Sequence, residues 1–253
     1  MLLTVIDAFT DHAFSGNPAA VAIVDQFPSD EHMQLIAREM NLSETAFVVR
    51  SSEGQHELRW FTPTVEVDLC GHATLAAAHL LGGSASFNTR SGRLTCNRRG
   101  DWIEMDFPAW VPVQEPLPAL PRGLPPPVWT GTAGEDWLVE LAEELDVVEL
   151  RPDLADVARL GRRALIVTAR ANATTDVDVV SRVFGPNAGI SEDPVTGSAH
   201  CALAPYWAPK LGRDELEGYQ ASARGGTVRM RLNGDRVVLA GQAVSVSEVT
   251  LLA

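Results

Sequence analysis

The sequence predicts an α/β (α+β) fold of two related halves, each a curled, mostly antiparallel sheet around one apolar helix. Three observations carry this. The first is an internal repeat: Val67 to Leu81 reads VDLCGHATLAAAHLL, and Glu192 to Leu203 reads EDPVTGSAHCAL. With Gly71 laid on Gly197, Ala73 falls on Ala199 and Ala76 on Ala202, and Phe61-x-Pro63 and Phe184-x-Pro186 lead into the two copies. The glycines are about half the chain apart, as a duplication requires. The second is the number of short β-prone runs, bounded by turn residues, on either side of each copy. The third is a stretch from Pro108 to Pro127 that holds eight of the 16 prolines. Proline at that density opposes both helix and central strand, so the halves are divided there, as 1–112 and 113–253. The C-terminal strand is expected to complete the first half.

Taken in order, the first half opens with a strand at Leu3 to Phe9, a loop containing Gly16-Asn17-Pro18, and a strand at Ala19 to Val24. Ser29 is a helix cap, and Met33, Ile36, Ala37 and Met40 have the spacing of one buried helical face. Asn41 is a left-handed terminator. NLSETAFVV then places Glu44 where helix gives way to an apolar strand. Leu58 to Phe61 is another strand. Phe87 to Arg90, Arg93 to Asn97 and Trp102 to Phe107 form an antiparallel set joined by Gly-containing turns. In the second half, helices are expected around Glu135 to Leu145, from the row Leu138, Leu141, Ala142 and Leu145, and at Pro152 to Leu160. Strands are expected at Ala164 to Ala169 and Asp176 to Phe184. Pro205 is expected to bend or end the second glycine helix. Asn233-Gly234-Asp235 signals a hairpin, with further strand from Gln242 to Leu252.

Composition excludes several functions. Twenty Lys and Arg against 33 Asp and Glu give a net charge of −13, with no basic cluster, so nucleic acid and anionic membrane surfaces are not expected partners. No basic leader or bilayer-length apolar run is present, and three cysteines are too few and odd in number for a disulfide framework. A cytoplasmic protein is expected.

Each repeat element is a turn feeding the start of a buried helix, whose free N–H groups and dipole favour an anion. Gly71-His72 and Gly197-Ser198 are therefore candidates to hold a small carboxylate; Gly16-Asn17-Pro18 reads first as a plain hairpin connection, although Asn17 could reach a ligand. The alternative is two core helices whose glycines only relieve crowding. A carboxylate in the position of Glu44 is ordinarily exposed and inert, but under a closing cleft, desolvation would suit it to proton transfer. Cys70 with His72, or His200 with Cys201, match no common zinc spacing, so no metal is expected. Ser198 lies in TGSAH, which lacks the G-x-S-x-G elbow of a hydrolase nucleophile. Proton transfer at carbon needs a positioned acid/base, a second polar group and dipoles to stabilise negative charge, and this set contains all three.

VIDAFTDHAFSGNPAAV, NLSETAF, FTPTVEVDLCGHATLAAA, SEDPVTGSAH and LAGQAV, in that order, resemble the successive motifs of the PhzF-like (phenazine biosynthesis) isomerase family across essentially the whole chain. The resemblance implies the diaminopimelate-epimerase-like fold of two pseudo-symmetric halves with the active site between them. It also implies cofactor-independent isomerisation of a small carboxylic acid in a biosynthetic process, as with trans-2,3-dihydro-3-hydroxyanthranilate, and a homodimer. By motif, Glu44 would be the general acid/base. His72 and Asp193 would orient the substrate or shuttle protons, and Ser198 with the backbone of Gly71 and Gly197 would hold its carboxylate. GHAT preceded by Cys70 resembles the broad branch of the family more than its dedicated phenazine enzymes. Two alternatives remain on the sequence: a thiol-based amino-acid racemase or epimerase of the same fold, and a non-catalytic binding protein that keeps the fold.

Overall fold

The computed structural model describes residues 1–51 and 54–252. The chain divides into two compact units. Unit 1 comprises residues 1–106 and 240–253, and unit 2 residues 107–239. The division after Asp106 precedes the expected one at 112, and the whole proline-rich stretch belongs to unit 2.

Unit 1 begins with β1 (Leu2–Ala8) and β2 (Asn17–Val24), which pair antiparallel. Gly16 turns the chain between them at φ +64°. A Cβ there would lie 2.2 Å from the Ala8 carbonyl oxygen, so only glycine fits. Helix α1 (Asp30–Met40) follows. Ser29 Oγ accepts the His32 N–H at 3.3 Å, and Asn41 ends the helix at φ 50°. Met33, Ile36 and Ala37 are its buried face. β3 (Glu44–Val49) then pairs parallel with β2 and antiparallel with β4 (Gln55–Phe61). After β5 (Glu66–Val67), helix α2 (Gly71–Leu80) returns the chain to β6 (Ala85–Thr89), parallel to β4, and on to β7 (Gly92–Arg99) and β8 (Trp102–Pro108).

Every residue of α2 from His72 to Ala78 is buried. The helix is apolar on all sides and has strands around it, contacting β1, β2 and β3. Its alanines let the backbones approach closely, and Leu75, wholly buried, is its largest wedge. Truncating Leu75 to Ala would cost about 2–5 kcal/mol.

Unit 2 repeats this order. β9 (Val113–Gln114) pairs with β10 (Trp129–Ala133), and β10 runs antiparallel to β11 (Asp136–Glu140). Helices α3 (Glu144–Val148) and α4 (Leu154–Arg159) lead to β12 (Leu165–Arg170), parallel to β11. β13 (Val179–Gly185) is antiparallel to β12, and β14 (Ile190–Asp193) precedes helix α5 (Gly197–Leu211). β15 (Glu215–Gln220) then lies parallel to β13 and antiparallel to β16 (Gly226–Asn233). Antiparallel, parallel, antiparallel, then parallel across a glycine-led helix is thus the pairing of both units, which is the duplication read from the two motifs. β17 (Arg236–Gly241) carries the chain back to unit 1, where β18 (Ala243–Thr250) pairs with β1. Gly241, in the LAGQAV motif, has no side chain because a Cβ would lie 2.4 Å from the Phe9 ring and 2.7 Å from Leu75 Cδ1.

The structure corrects two helical expectations. Glu135 to Leu145 is not one helix: Asp136 to Val139 are consecutively buried in β11, so Leu138 belongs to a strand covered on both faces, while Leu145 falls in the short helix α3. Pro205 does not end α5. The Cys201 carbonyl that lacks a donor at Pro205 accepts the Trp110 N–H at 3.0 Å, and the helix runs on through Pro209. No helix among the described residues is long and apolar enough to cross a membrane.

Candidate active site

In unit 1 the β2–β3 register sets Glu44 beside Ala19, two residues along from Asn17, which opens β2 and is wholly buried. Glu44 opens β3, His72 is the second residue of α2, and Cys70 is the residue before that helix. These three converge. His72 Nε2 lies 3.1 Å from Glu44 Oε2, and His72 Nδ1 lies 3.5 Å from Cys70 Sγ. Glu44 Oε2 and His72 Nε2 are buried and make no well-directed hydrogen bond among the described residues, so each has the other's charge as its compensation. His72 is in the first turn of α2, a helix start with no side-chain cap.

Burial alone would lower the His72 pKa. Negative charge available on Cys70 and Glu44 outweighs it, and the imidazole titrates well above its ordinary value. Burial, with the Glu44 carboxylate beside it, pushes the Cys70 thiol up. His72 thus sits between two acidic side chains, of which Cys70 holds its proton more tightly than a free thiol does. The Glu44, Cys70 and His72 donor atoms lie within 4.8 Å of one another, close enough for an ion. His72 turns opposite ring nitrogens to its two neighbours, Nε2 to Glu44 and Nδ1 to Cys70.

In unit 2 the corresponding helix start is built differently. Thr196 precedes α5 as Cys70 precedes α2, but its Oγ1 donates to Asp193 Oδ2. Gln220, wholly buried on β15, clamps this turn: its Oε1 accepts the Thr196 N–H at 2.9 Å and its Nε2 donates to the Asp193 carbonyl at 2.7 Å. Gly197 opens α5, and Ser198, second in the helix as His72 is in α2, is half-buried. Ser198 Oγ accepts from Arg163 Nη2 at 3.1 Å. Arg163 is in turn forked on Asp136, which opens β11 and is wholly buried. The repeat extends to a side-chain bond: Thr74 Oγ1 donates to the Cys70 carbonyl, and His200, three residues into α5 as Thr74 is into α2, places Nδ1 2.8 Å from the Thr196 carbonyl. Asp68, three residues ahead of Gly71 where Asp193 is four ahead of Gly197, is exposed. β5 ends at Val67 and β14 at Asp193, so the two acids are one residue out of step.

Within unit 1 the structure thus brings Glu44, His72 and Gly71 together, with Asn17 at the same end of β2. Within unit 2 it brings together Asp193, Gly197 and Ser198. Sequence reasoning passed over Arg163, Asp136 and Gln220. The arginine pair in GRRALIV, just ahead of an apolar strand, was a visible signal; nothing local distinguishes Gln220, whose partners lie 24 or more residues away.

Residues 6–249 match the phenazine biosynthesis-like (PhzC-PhzF) family. An uncharacterised isomerase of Halalkalibacterium halodurans is 48% identical over 98% of this chain and 97% of its own. A crystal structure of a PhzF-family phenazine biosynthesis protein from Enterococcus faecalis superimposes with a TM-score of 0.91 at 37% identity, covering 98% of this chain and 97% of that one. A hydroxyproline epimerase from Agrobacterium vitis shares the fold alone, at 11% identity and a TM-score of 0.64, over 98% and 91% of the two chains. The architecture is therefore diaminopimelate-epimerase-like. A motif series running the length of the chain, the duplicated glycine helices and this kinship lead to one conclusion: the chain belongs to the phenazine biosynthesis-like family and is an isomerase.

Proposed function

We propose that the protein is a cofactor-independent isomerase that moves a proton between carbon positions of a small carboxylic acid, cyclic or amino-substituted, with Glu44 as the general acid/base. The observation that carries this is the Glu44–His72 pair: a carboxylate at the head of a strand, 3.1 Å from a buried imidazole at the head of a helix. Glu44 takes the proton from one carbon and returns it to another. His72, held cationic beside it, keeps the carboxylate in place and stabilises negative charge as it develops on the substrate. Asp193 orients the substrate or relays protons. In unit 2, Ser198 and the amide of Gly197 suit a carboxylate, and in unit 1 Asn17 and the amide of Gly71 do likewise, since backbone N–H groups at helix starts suit an anion.

A two-thiol racemase fits less well. Such a mechanism needs a thiolate on each face of the reacting carbon, whereas burial holds Cys70 protonated, and the matching position in unit 2 is Thr196, already bonded to Asp193. The cytoplasmic setting and homodimer implied by the family resemblance belong to the same proposal. The test is a thermal-shift screen of small carboxylates, followed by turnover of each hit in D2O. Solvent deuterium at a substrate carbon, lost in Glu44→Gln, supports the reading. Unchanged turnover in the Glu44→Gln variant overturns it.

A further inference from the structure

Both units place a polar side chain from the neighbourhood of their third main strand against the second residue of the glycine helix. In unit 1 the pair is Glu44 on His72; in unit 2 it is Arg163, two residues ahead of β12, on Ser198. The second pair has a consequence for proton direction. A guanidinium has five N–H donors and no acceptor, so in the Arg163–Ser198 contact the serine oxygen must accept. The Ser198 hydroxyl proton is then free to point away from Arg163, towards whatever lies in front of the helix.

The arginine is held in that attitude. Its Nε donates to Asp136 Oδ1 at 2.8 Å and its Nη2 to Asp136 Oδ2, a fork that fixes the plane of the guanidinium. Asp136 is wholly buried, and an unpaired carboxylate there would be costly, so the arginine is not at liberty to leave. The hydrogen bond to Asp136 outweighs burial and raises the Arg163 pKa further, with Glu135 and Asp193 adding their fields. Arg163 is nonetheless 37% exposed, so a fixed positive charge remains accessible beside Ser198 in a protein whose net charge is −13.

We propose that Arg163 is a positioning residue: by occupying the acceptor side of the Ser198 oxygen, it makes that hydroxyl a dedicated donor and so sets the preference for a carboxylate over its uncharged amide. This rests on the assignment of Ser198 to carboxylate binding. Asp136 acts one step further back, by holding the guanidinium plane.

The test uses anthranilate and anthranilamide, a small ring carboxylate and its neutral counterpart, titrated calorimetrically into the full-length protein. The parent is expected to prefer anthranilate. Arg163→Lys keeps a cation beside Asp136 but has one nitrogen in place of the fork, and should weaken anthranilate binding about tenfold while leaving anthranilamide nearly unchanged. Ser198→Ala should do the same, and the double variant should lose little more, because the two act as one unit. If Arg163→Lys alters the fold, Arg163→Met with Asp136→Asn removes the guanidinium without stranding a buried charge. An equal loss for both ligands would mark a merely structural role and overturn the inference. A drop in Ser198→Ala with unchanged selectivity in both arginine variants overturns it too, leaving the serine assignment standing. A parent protein that binds anthranilate no better than the amide overturns both.

Discussion

His72 Nε2 lies 3.1 Å from Glu44 Oε2 while His72 Nδ1 lies 3.5 Å from Cys70 Sγ, so the imidazole joins a strand head to the residue before its own helix. The proton-transfer reading depends on the first of these contacts and not on the second.

Glu44→Gln keeps the shape of the side chain and removes its ability to accept a proton. Exchange of substrate hydrogen with solvent should fall about a hundredfold to ten-thousandfold, the usual contribution of a general acid/base. The variant should stay folded at a lower melting temperature, because the buried His72 loses the carboxylate beside it. Parental exchange in the variant would end the acid/base assignment.

Cys70→Ala should retain most of the activity, since burial and the Glu44 carboxylate already keep the thiol protonated. The protein should also leave free amino acids unracemised, which polarimetry or chiral chromatography can check. Inactivity of a folded Cys70→Ala protein would revive the thiol mechanism.

His72 gives stability a particular pH dependence. Its pKa in the folded protein is raised above the ordinary 6.5, so the folded state binds the proton more tightly than the unfolded one. The stabilisation is fully present below about pH 6.5 and is lost as pH rises through the raised folded value. Urea denaturation of the parent and of His72→Gln should therefore show the parent's advantage shrinking from pH 6 upwards. An advantage that grows with pH would contradict the ion pair.

His200 has the opposite sign. Wholly buried, with Nε2 lacking a hydrogen-bond partner among the described residues, it has its pKa pulled down by burial to about 4. The unfolded chain binds this proton first, so stability falls as pH drops from about 6.5 towards 4. The contribution is about 3 kcal/mol at most, taking about 1.4 kcal/mol per pKa unit. His200→Leu should flatten the acid limb of the stability profile. An unchanged limb would mean that other groups govern it.

Gln220→Glu tests the clamp on the second helix start. The carboxylate can still accept the Thr196 N–H but cannot donate to the Asp193 carbonyl, and burying it unpaired should cost about 1–3 kcal/mol or more. Amide exchange at Thr196 should quicken relative to the strands of unit 2. Equal protection in parent and variant would show that the turn holds itself.

Much of this molecule was legible in the chain because local chemistry decides it. Ser29 and Asn41 bound α1 by capping, the Gly71 and Gly197 motifs announce two buried helices through small residues that nothing but close packing requires, and the glycine and asparagine turns fix the hairpins. Glu44, His72, Asp193 and Ser198 stand out as polar residues at element boundaries, and the structure sets Glu44 against His72 and Asp193 beside the turn into α5. Elsewhere the local signal misled or was silent. Leu138, Leu141, Ala142 and Leu145 have a spacing compatible with helix, but pairing with β12 makes the segment around Leu138 a strand. Pro205 breaks an isolated helix, but here the distant Trp110 N–H supplies the donor that the Cys201 carbonyl lacks. Gln220, Asp136 and Arg163 acquire their roles from partners 24 to 35 residues away, through bonds that no spacing encodes. The sequence by itself determined which segments turn, cap and pack. Tertiary structure alone decided which buried donor meets which acceptor, because a hydrogen bond's direction depends on the three-dimensional register of segments that the chain brings together only on folding.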